Sequence, residues 1–353
     1  MKAYLVTEPH KSELVDIEEP KLASDEVLVR VGACGICGSD LDIIEGTRPM
    51  ETTAYPVVLG HEFSGEVVEL GREVRGLRRG QKVAVDTIVR CQSCSYCALG
   101  WGAHCQTKFN QLGCTLPGGM AEYVAVPQRL LYAVPDDIDL ADMALAEPAS
   151  CAAHGVSKAE IRPGDSVVVV GVGPIGALAL QIARLFSPTI LISIEIDARK
   201  AELARKLGAT HTIDALKEDV TARVMEITRG LGAQAIIECS GSLKPVQETI
   251  SYVATKGRIV VIGTPPEAKF ELDFLTLLLK DAIFRPSNGY TTAIWLWVLQ
   301  LIASGTIDAP TVITHRVGLS SVGRAFDILK SRKELAVKVM TSARWNNGGS
   351  AAR

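Results

Sequence analysis

The sequence predicts an α/β chain in two domains, a mainly-β domain followed by a doubly wound parallel sheet. Three observations carry this. Strand-sized apolar runs alternate with helix-sized amphipathic stretches from Ser166 to Phe284. Before Asp165 the chain reads instead as short strands separated by loops rich in glycine and cysteine. Finally, 353 residues are more than one hydrophobic core usually serves.

The stretch Ser166–Glu195 organises the rest. Ser166 and four valines are too few for a helix and suit a strand buried on both faces. Gly171-Val172-Gly173-Pro174-Ile175-Gly176 follows, a G-x-G-x-x-G that opens a helix running to Leu185. A second apolar run, Thr189 to Ile194, ends at Glu195. Alone, the glycine pattern is an ordinary tight turn. After a strand, before a helix and with an acid about 20 residues on, it is a dinucleotide site. Gly171 makes the turn, Gly173 lets a pyrophosphate approach, and Gly176 lets helix and strand pack closely. Glu195 would accept a hydrogen bond from the adenosine ribose 2′-OH and repel a 2′-phosphate, which favours NAD over NADP. Arg199 and Lys200 lie close enough in sequence to soften that preference.

The remaining elements follow in order. Ala3–Val6 and Leu14–Ile17 form a hairpin about Glu8–His10, and Glu26–Gly32 alternates as a half-buried strand. Glu66–Glu69 and Gly80–Val85 are strands, and Gly118–Val126 is a turn into another. Ala141–Ser157 reads as one helical stretch, and the turn Ile161–Asp165 leads into the central strand. Beyond Glu195, helices at 198–207, 220–228 and 246–252 alternate with strands at 210–213, 235–238 and 257–263. Phe270–Leu279 is mixed, and 282–284 is the last strand of that sheet. Ile294–Ser304 has helical spacing, with Trp295 and Trp297 as core or interface residues. Thr311–Arg316 and Ala336–Met340 read as strands returning to the first domain, and Trp345–Arg353 as a disordered tail.

Composition narrows the function classes. Apolar content of 47% and charge of 22% are ordinary for a globular enzyme. A net charge of −3 offers no electrostatic attraction to nucleic acid or an anionic membrane, so neither is expected as a partner. The apolar region Val167–Phe186 is broken by three glycines, a proline, Gln181 and Arg184, which argues against a membrane span. No basic-then-apolar N-terminus is seen, so the cytoplasm is the expected compartment. There the nine cysteines would serve as metal ligands or reactive thiols rather than disulfides.

Cysteine and histidine spacing supplies the chemistry. Cys91, Cys94, Cys97 and Cys105 form C-x2-C-x2-C-x7-C, four thiolates in one short loop. That suits a tetrahedral zinc whose closed shell leaves no place for substrate. An iron–sulfur cluster would need different spacing and a proline where Gln106 stands. Cys34-Gly35-Ile36-Cys37 is either a redox pair or two metal ligands, and no thioredoxin-like pattern surrounds it. His61, one of only six histidines, lies between Gly60 and Glu62 in a glycine-flanked segment.

Taken together, CGICGSD from Cys34, GHEFSGEV from Gly60, the four-cysteine loop, EPASCAAHG from Glu147, GVGPIG from Gly171 and the acid at Glu195 resemble the zinc-dependent medium-chain dehydrogenase/reductase family. The resemblance runs from about Met1 to Met340 and is nearest to the polyol and sugar-alcohol dehydrogenases, with L-threonine and 2,3-butanediol dehydrogenases close behind. It implies a GroES-like mainly-β catalytic domain over residues 1–153, completed by 290–345, a Rossmann domain over 154–289, and a tail at 346–353. It also implies two zincs per chain, one catalytic and one structural. Cys37 and His61 match catalytic zinc ligands, with Glu62 or Glu147 as the third. Asp40 matches the acid that orients the ligand histidine, and Ser39 the hydroxyl beside the reacting oxygen. Ile175, Glu195, Lys200 and the turn Ile262-Gly263-Thr264 match cofactor contacts. Cys34 and Cys151 match no functional position and read as structural. Asp42 departs from the pattern, since many relatives place a histidine there to end a proton relay. An aspartate, with an ordinary pKa of about 3.9, suits neutral pH poorly unless its surroundings raise it; otherwise it is a solvated surface charge.

The resemblance therefore implies hydride transfer between NAD and the CH–OH group of a polyol, sugar or related secondary alcohol by a homodimer or homotetramer. L-threonine, 2,3-butanediol or a simple alcohol is the rival substrate. A catalytically silent NAD-binding protein is the rival from another class, but such a chain need not keep Cys37, Ser39, Asp40, His61, Glu62 and Glu147 together.

Overall fold

The computed structural model describes residues 1–107, 110–265, 269–331 and 333–345. The chain divides into two compact units, one of Met1–Glu147 with Thr291–Arg353 and one of Pro148–Tyr290.

The second unit is a six-stranded, fully parallel sheet. Its order is His211–Asp214, Ile190–Glu195, Ser166–Val170, Ala233–Glu238, Val253–Val261, Ile283–Pro286. Numbered along the chain this is 3-2-1-4-5-6, the dinucleotide-binding order. Val167 to Val170 are buried on both faces, as a central parallel strand requires. The order reverses between Ser166–Val170 and Ala233–Glu238, so a crevice opens at their carboxyl ends, beside Gly171 and Cys239. The mixed segment at 270–279 resolves into a helix, Phe274–Leu279, because Asp273 accepts a hydrogen bond from Thr276 N–H.

The first unit holds a seven-stranded sheet. Along its path run Ile313–Gly318, Lys338–Ser342, Glu26–Gly35, Glu62–Leu70, Lys82–Val85 and Leu131–Ala133, and Tyr123–Pro127 pairs with Glu26–Gly35. A smaller three-stranded sheet joins Lys2–Glu8, Lys11–Asp16 and Val57–Val58. The strand expected over Glu66–Glu69 begins at Glu62, and the one expected to end at Gly32 reaches Gly35, so strand ends carry site residues. Trp295 is core, packed edge-on to Tyr132 with ring centroids 5.8 Å apart.

Three expectations are corrected. The single helical stretch at 141–157 is two helices, Leu140–Met143 and Ala146–Lys158. Asp139 starts the first by accepting from Ala141 N–H, a local cap that apolar periodicity does not register. The strand expected from Thr311 starts at Ile313, because Asp308 caps a short helix, Ala309–Val312, with Pro310 in its first turn. Trp345 belongs to the packed unit, with the Arg316 guanidinium 5.5 Å from its ring centroid. The rest of the expected tail, 346–353, lies outside the described residues.

Beside Arg316 lies an electrostatic cost. Burial, reinforced by Asp139 and Asp308 and opposed by Arg316, pushes Asp142 up to about 6. Its Oδ1 accepts no hydrogen bond. A carboxyl whose folded-state pKa is raised contributes stability below its unfolded value and loses it as pH rises through about 6. Asp142→Asn is therefore expected to raise the unfolding free energy by about 1 kcal/mol at pH 8, after allowance for partial exposure. The gain should vanish near pH 4. Denaturant melts at the two pH values test this, and equal effects at both would exclude the assignment.

Candidate active site

The site in the first unit begins with a helix end. Cys37 is the N-cap of the helix Gly38–Glu45, and its backbone N–H donates to Asp40 Oδ2 at 2.8 Å, half of a capping box. The free N–H groups of that helix N-terminus place partial positive charge beside the sulfur. His61 precedes the strand Glu62–Leu70, which pairs antiparallel with Glu26–Gly35 and puts Glu62 opposite Gly35. One ligand atom each from Cys37, His61 and Glu62 therefore falls within 4.8 Å of the others.

The surroundings fit a cation. Asp40 is fully buried, and its Oδ1, with no hydrogen bond, faces His61 Nδ1 at 3.6 Å. Cys114 Sγ lies 3.9 Å from the same nitrogen. Burial works against a charge on His61, but Cys114, Cys37 and Asp40 outweigh it and raise its pKa well above the ordinary histidine value. Such a pocket draws a cation to the imidazole, whether proton or metal. With Nδ1 facing Asp40 Oδ1 and Cys114 Sγ, Nε2 is the nitrogen left for a metal. Ser39 Oγ stands 3.8 Å from Cys37 Sγ, at the rim of the cluster.

Glu147 is buried but is not among the three groups drawn together. Burial, opposed by His61, reinforced by Glu62 and opposed by Lys338, pushes its carboxyl up to about 7. Asp42 lies exposed on the same helix, accepting from Thr47 Oγ1 at 3.5 Å. Residual burial raises its pKa, with Arg48 and Thr47 opposing. Cys34 is fully buried, and burial lifts its thiol pKa well above the ordinary value, the condition of an inert packing residue.

One site residue escaped the sequence reading. Lys338 is buried, its Nζ in direct contact with Glu62 Oε2 and donating to Ile36 O at 3.0 Å. Burial works against its charge, but Glu62, Cys37 and Glu147 outweigh it and raise its pKa. The signal was a single lysine between Val337 and Val339 in the otherwise apolar run Leu335–Met340.

The four-cysteine loop is a second cluster, with Cys91, Cys94, Cys97 and Cys105 sulfurs within 4.8 Å of one another. Cys91 and Cys97 sulfurs are 3.8 Å apart. A disulfide needs about 2.05 Å. Tetrahedral zinc with Zn–S of about 2.3 Å sets its sulfurs about 3.8 Å apart. Ser93 and the Cys94 N–H push the Cys91 thiol down to about 5, while burial pushes Cys97 up to about 12. Thiolates this close need a divalent cation to be ionised together.

In the second unit the glycine turn is packed without slack. A Cβ on Gly176 would stand 1.8 Å from Gly171 O, whereas one on Gly173 would meet nothing within 4 Å, leaving room for a ligand. Glu195 is engaged by backbone N–H groups. Its Oε2 accepts from Val172 N–H at 2.7 Å, and its Oε1 from Ile196 and Asp197 N–H at 2.7 and 3.1 Å. A carboxylate has about four lone-pair sites, so one remains for a hydroxyl. Arg199 is paired with Asp197 at 2.6 Å. Ile175 and Lys200 are half-buried, and the backbone N–H groups of Ile262 and Gly263 donate to Glu238 O, fixing the turn that leads to Thr264.

The family model described as alcohol dehydrogenase GroES-like domain matches residues 23–136, and that described as zinc-binding dehydrogenase matches residues 174–304. A sorbitol dehydrogenase of Halalkalibacterium halodurans is 34% identical over 91% of this chain and 93% of its own. An L-threonine 3-dehydrogenase of Pyrococcus horikoshii is 34% identical over 94% and 96%. A Sinorhizobium meliloti protein assigned as a zinc-binding dehydrogenase and solved with NADP superimposes with a TM-score of 0.90, at 31% identity over 97% and 98%.

Proposed function

The chain belongs to the zinc-dependent alcohol dehydrogenases, and from that premise we propose that it moves hydride between NAD and the CH–OH group of a polyol, a sugar or a related secondary alcohol. It is an oxidoreductase that acts on CH–OH donors with zinc and a nicotinamide dinucleotide. The convergence of Cys37, His61 and Glu62 within 4.8 Å carries the proposal.

Cys37, His61 and Glu62 would hold the catalytic zinc, and Cys91, Cys94, Cys97 and Cys105 a structural one. A zinc held at the first of these sites would supply Lewis-acid polarisation of an alcohol hydroxyl, and a nicotinamide bound at the glycine turn would supply the hydride acceptor. Ser39 would hold the substrate oxygen and pass its proton on, giving up its own hydroxyl proton as it accepts the substrate's. Asp40 keeps Cys37 and His61 oriented through the N–H and imidazole contacts. Asp42 is the proposed exit for the proton, since burial moves its pKa upward from the ordinary carboxylate range. Glu147 remains the nearby acid for a further substrate hydroxyl. Gly171, Gly173, Pro174, Ile175, Gly176, Lys200, Ile262, Gly263 and Thr264 seat the dinucleotide.

Glu195 supports NAD over NADP. Glu195→Ala is expected to weaken NAD binding roughly tenfold, the scale of a lost charge-assisted hydrogen bond. It should also narrow the gap to NADP. Titration of both cofactors reads this, and an unchanged ratio would mean that the ribose is recognised elsewhere.

The exposed Phe274, Leu275, Leu278, Leu279 and Ile283, next to the outer strand Ile283–Pro286, support a homo-oligomer. Nine cysteines without a disulfide support a reducing compartment, the cytoplasm. No helix among the described residues is long and apolar enough to cross a membrane.

The test is NADH formation across polyols, sugars, diols and L-threonine, with zinc counted on the same sample. Turnover of a polyol or sugar with two zincs per chain supports the reading. Turnover of L-threonine alone moves the substrate to the amino-alcohol class.

A further inference from the structure

The four-cysteine loop returns alongside the segment that enters it. Val89 N–H donates to Asn110 O at 2.9 Å, and Leu112 N–H to Thr87 O at 3.0 Å. The returning chain then turns sharply at Gly113, where φ is +83° and a Cβ would stand 2.4 Å from Gly60 O and 2.7 Å from His61 N. Glycine at this point lets the turn lie against the backbone of His61. The next residue, Cys114, is fully buried, and its carbonyl accepts from Ala54 N–H at 3.0 Å. Its Sγ is thereby held 3.9 Å from His61 Nδ1. Asp40 Oδ1, buried and without a hydrogen bond, faces the same nitrogen at 3.6 Å. Asp40 is not free to close that gap, because its Oδ2 is engaged by Cys37 N–H at 2.8 Å in the helix cap. A sulfur is larger than an oxygen and meets a ring N–H at this longer distance, as a weak acceptor.

We propose that Cys114 is a positioning residue for His61, its sulfur accepting the Nδ1–H and holding the ring in the orientation and tautomer that leave Nε2 to the metal. The inference rests on the reading of Cys37, His61 and Glu62 as a zinc shell. A metal on Nε2 requires the proton on Nδ1, and a ligand histidine is oriented by the group that this N–H meets. Here Asp40 supplies negative charge near the ring and Cys114 supplies the contact. The contact is delivered by the returning arm of the four-cysteine loop, so that arm is part of the support of His61.

The experiment follows zinc release from holoenzyme to excess chelator, together with visible absorption of the cobalt-substituted protein, in Cys114→Val, Cys114→Ala and Cys114→Ser. Valine fills the space without an acceptor, and serine keeps an acceptor. The catalytic-shell metal is identified as the release phase missing from Cys37→Ala. That phase is expected to run roughly tenfold faster in the Val and Ala variants, with shifted cobalt bands, and to stay within about threefold of the parent in the Ser variant. Alanine and serine both leave space, so the difference between them reads the acceptor rather than the packing, even if valine disturbs the turn. Parent-like release from Cys114→Val, or equal release from the Ala and Ser variants, overturns the proposal and leaves the thiol a packing residue. If Cys37→Ala itself keeps two metals per chain, the shell reading is wrong, and the proposal falls for that separate reason.

Discussion

Cys37→Ala is expected to abolish turnover while leaving NAD binding nearly intact. Cys37 is the thiolate of the proposed shell, and its loss leaves His61 and Glu62, too few ligands to hold zinc firmly in a three-ligand site. The fall in kcat/KM should reach roughly 10⁴-fold or more, because the hydroxyl then keeps an alcohol's pKa at the pH of assay. The glycine turn and Glu195 belong to the other compact unit, Pro148–Tyr290, so NADH affinity should stay within about twofold of the parent. Metal analysis should fall from two zincs per chain to one. Turnover that survives the substitution would remove Cys37 from the catalytic shell.

Cys97→Ser tests the other cluster and acts on stability. Cys97 is one of four sulfurs within 4.8 Å, and a closed thiolate shell that loses one ligand loses most of its zinc affinity. The loop's base is tied independently. Arg90, paired with the fully buried Asp86, donates to Thr292 Oγ1 at 2.9 Å, and Thr292 N–H donates to Gly100 O at 3.1 Å. Unfolding should therefore be confined to the loop at first, with both sheets persisting. The expected cost is roughly 3 kcal/mol or more, below the 10–16 kcal/mol of isolated zinc modules because a large core remains. Thermal melts and zinc counts check it. An unchanged melting curve with two zincs retained would mean that the cluster does not hold structural metal.

Much of the molecule was legible before its coordinates. The valine strand, the glycine turn and the acid at Glu195 are read from spacing, because the distance between turn and acid is set by one helix and one strand. The four-cysteine loop is legible for the same reason, since its ligands lie within fifteen positions, Cys91 to Cys105. Helix caps were less so. Asp139, Asp273 and Asp308 each start a short helix by accepting a backbone N–H of its first turn, which does not appear in apolar periodicity.

What the sequence determined by itself is local: a parallel-sheet dinucleotide unit, a four-cysteine loop suited to zinc, and a cysteine, a histidine and two acids suited to a second metal. What the tertiary structure decided is which of these meet. Strand pairing sets Glu62 opposite Gly35 and beside Cys37, whereas Glu147 stays outside the three-residue cluster. It brings Lys338 against Ile36 across 302 positions of sequence, and Glu195 onto the N–H of Val172 across 23. The physical reason is that backbone geometry fixes positions only a few residues apart. Contacts across hundreds of residues depend on the register of strands, and register is chosen by the burial of whole sheet faces rather than by any short motif.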